Sequence, residues 1–187
     1  SYTDADWALR TTDPVNLYAF DGVTYEGGSG NLCANCHQPR RAIADADENG
    51  IISITSTHWG PHHGPQSSML MGLGGAGSAG TGSAAMHYSL VEGTCVTCHL
   101  GDTDNHTFEP SIDACTGCHS DAENYDIGGL QTEVQAQLDE LKEGLAALGY
   151  LDEEGHPMVS DPPAVLAAAA WNYIFIALED KSLGVHN

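Results

Sequence analysis

Positive charge is what this sequence most conspicuously lacks. Its 187 residues include 5 Lys plus Arg against 26 Asp plus Glu, a formal net charge of −21. Phosphate backbones are gripped by clustered Lys and Arg, so nucleic acid is excluded as a partner, and anionic membrane surfaces are disfavoured for the same reason. Phe and Trp are scarce too, with 3 of each beside 7 Tyr, 22 Gly and 8 Pro. Ordinary side chains would therefore build only a thin core, and a large apolar cofactor is a natural way to fill it. No apolar run is long enough to cross a bilayer. The nearest, residues 164–178 with Asn172 inside it, falls short of the roughly 20 residues a spanning helix needs and reads as a buried core helix. The first residue is Ser1, as expected of a processed mature chain or a trimmed one, and no signal peptide can be read.

What is present is cysteine in one arrangement only. The six cysteines fall as Cys33-Ala-Asn-Cys36-His37, Cys95-Val-Thr-Cys98-His99 and Cys115-Thr-Gly-Cys118-His119, with none left over. A disulfide framework does not produce that spacing. Zinc would need a second Cys-x-x-Cys to complete each site, and redox dithiols do not come in threes. Cys-x-x-Cys-His is the attachment pattern of c-type haem. The two thiols add to the two vinyl groups of one porphyrin edge, and the next side chain offers its imidazole to the iron. The pattern therefore predicts three haem c groups, with His37, His99 and His119 as proximal ligands. Covalent attachment also predicts an extracellular or periplasmic chain.

Seven histidines remain: His58, His62, His63, His87, His106, His156 and His186. Three irons need three more axial ligands if all are six-coordinate. His58, His62 and His63 lie in a Pro- and Gly-rich loop suited to presenting a side chain rigidly. His87 and His106 each precede a haem motif by less than ten residues, and His186 follows the last helix. His156 reads as a surface residue. Met69, Met71, Met86 and Met158 compete as ligands, but the surplus of histidine favours bis-histidine coordination, which gives lower potentials than His/Met. A second metal reading attaches to Asp45-x-Asp47-x-Asn49-Gly50, which matches the start of a calcium loop; Ser56 stands where its bidentate Glu belongs, and a plain Asx-rich turn is the rival reading.

Regular structure is expected late in the chain. Residues 1–31 read as an irregular arm, 51–55 as a short strand, and 72–84 as a flexible low-complexity loop without core-forming content. Val134, Leu138, Leu141, Leu145 and Leu148 recur at helical spacing within residues 130–148, ended by Gly149. Asp161-Pro162-Pro163 starts a second helix running to about Asp180. The fold class is mainly α with much irregular coil, a haem-cored cytochrome with a C-terminal helical hairpin. Residues 1–125 form the haem-binding part and 126–187 the hairpin packing on it, the two making one cooperative domain.

The stretches NLCANCHQPR, THWGPHHGPQSSML, EGTCVTCH, NHTFEPSIDACTGCH, QTEVQAQLDELKEGL and WNYIFIALEDKSLGVHN resemble multihaem c-type cytochromes of anaerobic respiratory bacteria and archaea. They cover most of residues 31–187. Such proteins look distantly similar to the haem core of pentahaem nitrite reductases, and some small members polymerise into extracellular filaments. The resemblance implies His62 or His63, His106 and His186 as distal ligands, with His87 a further one, a candidate more than three haems require. It implies electron transfer to redox partner proteins or extracellular acceptors, with self-association into a filament as a further implication. The alternative, a reductase with one open iron acting on a small oxyanion, is opposed by the negative charge, the missing Cys-x-x-Cys-Lys site and the few arginines.

Overall fold

The structure is a computed structural model that describes residues 11–77, 82–101 and 107–187. It is helix-rich, with a little sheet and much coil. The arm expected to be irregular contains a small hairpin: β1 (Val15–Asn16) pairs antiparallel with β2 (Thr24–Tyr25), Val15 opposite Tyr25. Two-residue strands are too short for alternation to reveal, and burial of Val15 and Tyr25 holds them.

Short helices follow at the positions that carry chemistry. They are α1 (Asn31–Ala34), α2 (Gln66–Leu70), α3 (Met86–Leu90), α4 (Cys95–His99) and α5 (Asp113–Thr116). None exceeds five residues, so each owes its stability to its neighbours rather than to propensity. The region around residues 51–55 is not a strand. Ile51 and Ile54 make isolated bridges to Pro163 and Ser160, because the partner segment is the proline-rich lead-in to a helix and cannot sustain a ladder.

The long helices lie where periodicity puts them. Helix α6 spans Leu130–Ala147 and α7 spans Ala164–Tyr173, continuing as a π-helical segment Ile174–Asp180. The start moves from Asp161 to Ala164 because the ring of Pro163 occupies the position before the first helical residue. Leu138 and Leu145 of α6 meet Ala167, Ala170, Trp171, Ile174 and Phe175 in the main core, which also takes in Ile52, Ile54 and Trp59. Trp171 stands edge-on to Trp59 with ring centroids 5.3 Å apart and donates its indole N–H to the Gly74 carbonyl at 2.8 Å. The low-complexity loop contributes to this core, contrary to its composition. Ala76 is 4 % exposed, and its backbone N–H and carbonyl are both held by the Asn172 side chain. Small residues let the backbone come close enough for that pairing. Among the described residues no helix is long and apolar enough to cross a membrane.

Candidate functional site

Each Cys-x-x-Cys-His motif is wound into a helical turn. His37 donates its backbone N–H to the Cys33 carbonyl at 2.9 Å, and His119 does the same to Cys115 at 2.8 Å; α4 is the second motif itself. Residues three and four apart share a helix face, so each turn presents two thiols and an imidazole on one side. That is the arrangement a covalently attached porphyrin edge needs.

The first two motifs are brought together by the glycine run that precedes Cys33. Tyr25 donates its hydroxyl to Thr94 Oγ1 at 2.9 Å, and Thr94 Oγ1 donates to the Gly27 carbonyl at 3.2 Å. A Cβ at Gly30 would lie 2.2 Å from Thr94 Oγ1, so only glycine permits this approach. The Cys33 and Cys95 thiols consequently lie near each other, and their interaction pushes Cys33 up and draws Cys95 down to about 5. Cys98 is raised by burial and then by Cys115, its neighbour from the third motif. The second motif thus lies between the other two.

Two histidines outside the motifs face motif histidines. The His99 and His186 rings have centroids 6.3 Å apart and planes inclined at 41°. His87 and His119 are also 6.3 Å apart, with planes at 78°. A centroid separation of this size is compatible with two imidazoles sharing one metal ion. In three of the four rings the opposite nitrogen is engaged in a way that leaves Nε2 unprotonated for a metal. Nδ1–H of His87 donates to the Val185 carbonyl, and that of His99 to the Phe108 carbonyl, both at 2.7 Å. His186 Nδ1 donates to Asp180 Oδ1 at 2.7 Å, and His37 Nδ1 to Gln66 Oε1 at 3.2 Å. These residues fit axial coordination of haem iron.

The remaining candidates are placed differently. His106 lies outside the described residues. His62 and His63 are exposed, with backbone in the left-handed region (φ 61° and 69°) and ring centroids 4.4 Å apart, the planes tilted at 39°. Their loop passes on the Nδ1 side of His37, since a Cβ at Gly64 would lie 3.5 Å from that atom. Among the described residues no second imidazole faces His37, and no methionine enters either pair. Asp47 of the calcium-loop reading is closed into an Asx turn, accepting from the Asn49 and Ile51 backbone at 2.9 and 2.8 Å, and calcium gains no support. His156 is exposed beside Asp152. Sequence reasoning missed Gln66 and Asp180, the side chains that orient His37 and His186. The available signal was an acidic residue closing an apolar stretch six positions before His186.

Large apolar side chains stand exposed beside these ligands. Leu32 adjoins Cys33, Met86 and Leu90 flank His87, and Phe108 carries the carbonyl that holds His99. Apolar surface in this concentration marks a place where something apolar binds.

No protein-family model matches the chain, and no solved structure does. Two curated proteins of Geobacter sulfurreducens are similar. The C-type polyheme cytochrome OmcB is 28 % identical over 161 residues, covering 68 % of this chain and 21 % of the relative. The C-type polyheme cytochrome OmcC is 28 % identical over 161 residues, covering 68 % of this chain and 20 % of the relative. The chain is thus distantly similar to C-type polyheme cytochromes. It spans about a fifth of the length of these relatives.

Proposed function

We propose that the chain is an electron-transfer protein outside the cytoplasm that carries three haem c groups. They would be bound through Cys33 and Cys36, Cys95 and Cys98, and Cys115 and Cys118. The observation that carries the reading is the pair of 6.3 Å imidazole contacts, each joining a motif histidine to one from elsewhere. His186 then completes the site of His99, and His87 that of His119. When bound, haem supplies a one-electron iron couple. The chain's own part is to hold the imidazoles, orient them through their Nδ1 protons and bring the three attachment points into a row. The contact of Cys33 with Cys95 and the proximity of Cys98 to Cys115 support short distances between neighbouring groups. The 26 acidic residues oppose a reductase of small anions.

Among the described residues His186 and His87 have partners in their own chain, which leaves the proline-bounded loop as a source of a ligand for a second copy. His62 or His63, exposed and held in a left-handed backbone, would complete a haem of the next subunit. Such a head-to-tail contact, if its rotation does not close, generates an open filament. Redox partner proteins or extracellular acceptors would take the electrons.

The test is a haem count by mass and pyridine haemochrome, with visible and EPR spectra of the ferric protein. Three haems per chain, all low-spin, are expected; a high-spin component of one haem per chain would revive the reductase. Replacing both His62 and His63 by Ala should abolish polymers seen by light scattering, and polymers of unchanged length would remove the loop from the contact.

A further inference from the structure

Asp180 closes the π-helical segment, and its side chain is 0 % exposed. It is the sole buried carboxylate among the described residues, and no Lys or Arg there pairs with it. Burying an uncompensated carboxylate is expensive unless hydrogen bonds and a nearby positive charge offset it. The hydrogen bonds are present. Oδ2 accepts from the Ser182 hydroxyl at 2.5 Å and from the Ser182 N–H at 3.1 Å, while Oδ1 takes the proton-bearing Nδ1 of His186 at 2.7 Å. The Ser182 hydroxyl also accepts the His186 backbone N–H at 3.1 Å, so carboxylate, hydroxyl and imidazole are locked in one turn.

We infer that Asp180 is a positioning and tuning residue that makes the His99–His186 site the lowest in potential of the three; this rests on the haem reading above. A carboxylate bonded to Nδ1–H strengthens the donation of the opposite nitrogen and adds negative charge a few ångströms from the metal. Both effects favour iron(III) over iron(II). The other oriented histidines donate to neutral acceptors: the Phe108 and Val185 carbonyls and the Gln66 amide oxygen. Reduction takes up one electron at the iron, and the Nδ1 proton stays where it is. Because the second motif lies between the first and third, the site hardest to reduce is the central one. In the half-reduced protein electrons therefore reside on the outer two, and transfer along the chain crosses a rise at the middle.

The experiment is an optical and EPR redox titration of the haem-loaded protein, with dithionite as reductant. Asp180→Asn keeps the shape and an acceptor but removes the charge. It should raise the lowest of the three potentials by a factor of about ten in the reduction equilibrium, roughly 59 mV for one electron, with every haem still low-spin. Ser182→Ala withdraws a donor from the carboxylate, leaves more negative charge facing His186, and should shift the same potential downward. Unchanged potentials in low-spin Asp180→Asn would overturn the inference. If that variant fails to load haem, Ser182→Ala decides: a downward shift supports the inference, and no shift or an upward one overturns it. His186→Ala separates the two readings, because a new high-spin haem upholds the ligand pairing whatever Asp180 does, and an unchanged spectrum removes the pairing itself.

Discussion

The helical pair of residues 130–180 and the short helices α3, α4 and α5 treat apolar surface differently. In the pair, Leu138, Leu145, Ala167, Ala170, Trp171 and Phe175 cover one another. In the motif-bearing stretch, α3, α4 and α5 bury no residue, and Met86 and Leu90 are 68 % and 67 % exposed. The first region is closed by its own side chains. The second leaves apolar side chains uncovered, its geometry set by hydrogen bonds from histidine Nδ1–H groups and by glycine contacts. Stability of the helical pair, with Ile52, Ile54 and Trp59 packed on it, therefore comes from the chain, and that of α3, α4 and α5 is expected from what the chain binds.

The sharpest way to break this comparison is to prevent attachment by replacing all six cysteines with serine. Amide hydrogen exchange should then lose protection in α3, α4 and α5 while α6, α7 and the segment 52–54 packed on them keep most of theirs. Uniform loss, or uniform retention, would erase the distinction. Next in size is Trp171→Ala, which empties a core position and removes the N–H bond to Gly74. About 3–5 kcal/mol of stability should go, seen as a lower melting temperature with the haem spectrum of the folded protein unaltered. Gly30→Ala tests the seam between the halves of the haem row. Its Cβ would meet Thr94 Oγ1 at 2.2 Å, and overpacking of this kind costs roughly 1–3 kcal/mol. Redox interaction between the first two haems should change along with the melting temperature.

The smallest effect belongs to the start of α6. Asp126 is held below the ordinary carboxylate range by hydrogen bonds from the Thr132 hydroxyl and backbone N–H. A carboxylate lowered in the folded state stabilises it fully above its unfolded value, near 3.8, and that contribution disappears as pH falls through the lower folded value. Asp126→Asn should flatten the acid limb of melting temperature against pH between about pH 5 and 2, leaving neutral stability of the haem sites untouched.

How much could be read in advance differs between the same two regions. Helix α6 was legible almost to the residue, because an amphipathic period of 3.6 survives in any single sequence. Helix α7 was legible as a core helix, but not its π-helical end, which sets Asp180 beneath His186. The loop around Ala76 was misread because composition reports flexibility and not the Asn172 side chain that captures its backbone. Among the histidines, spacing named His87 and His186 as ligand candidates but gave no way to assign them to His119 and His99.

The chain's local chemistry was determined by sequence alone: thiols three apart and an imidazole next to the second lie within one helical turn wherever that turn folds. Net charge and the absence of a spanning run were equally fixed by composition. Pairing His99 with His186, and setting Cys33 against Cys95, were decided only by the tertiary structure. Those contacts depend on distant segments returning to one place: Asp180, at the end of the π-helical segment, holds His186, and the glycine seam at Gly27 and Gly30 admits Thr94 beside Cys95. A spacing rule fixes what one turn can present, whereas long-range packing fixes what it faces.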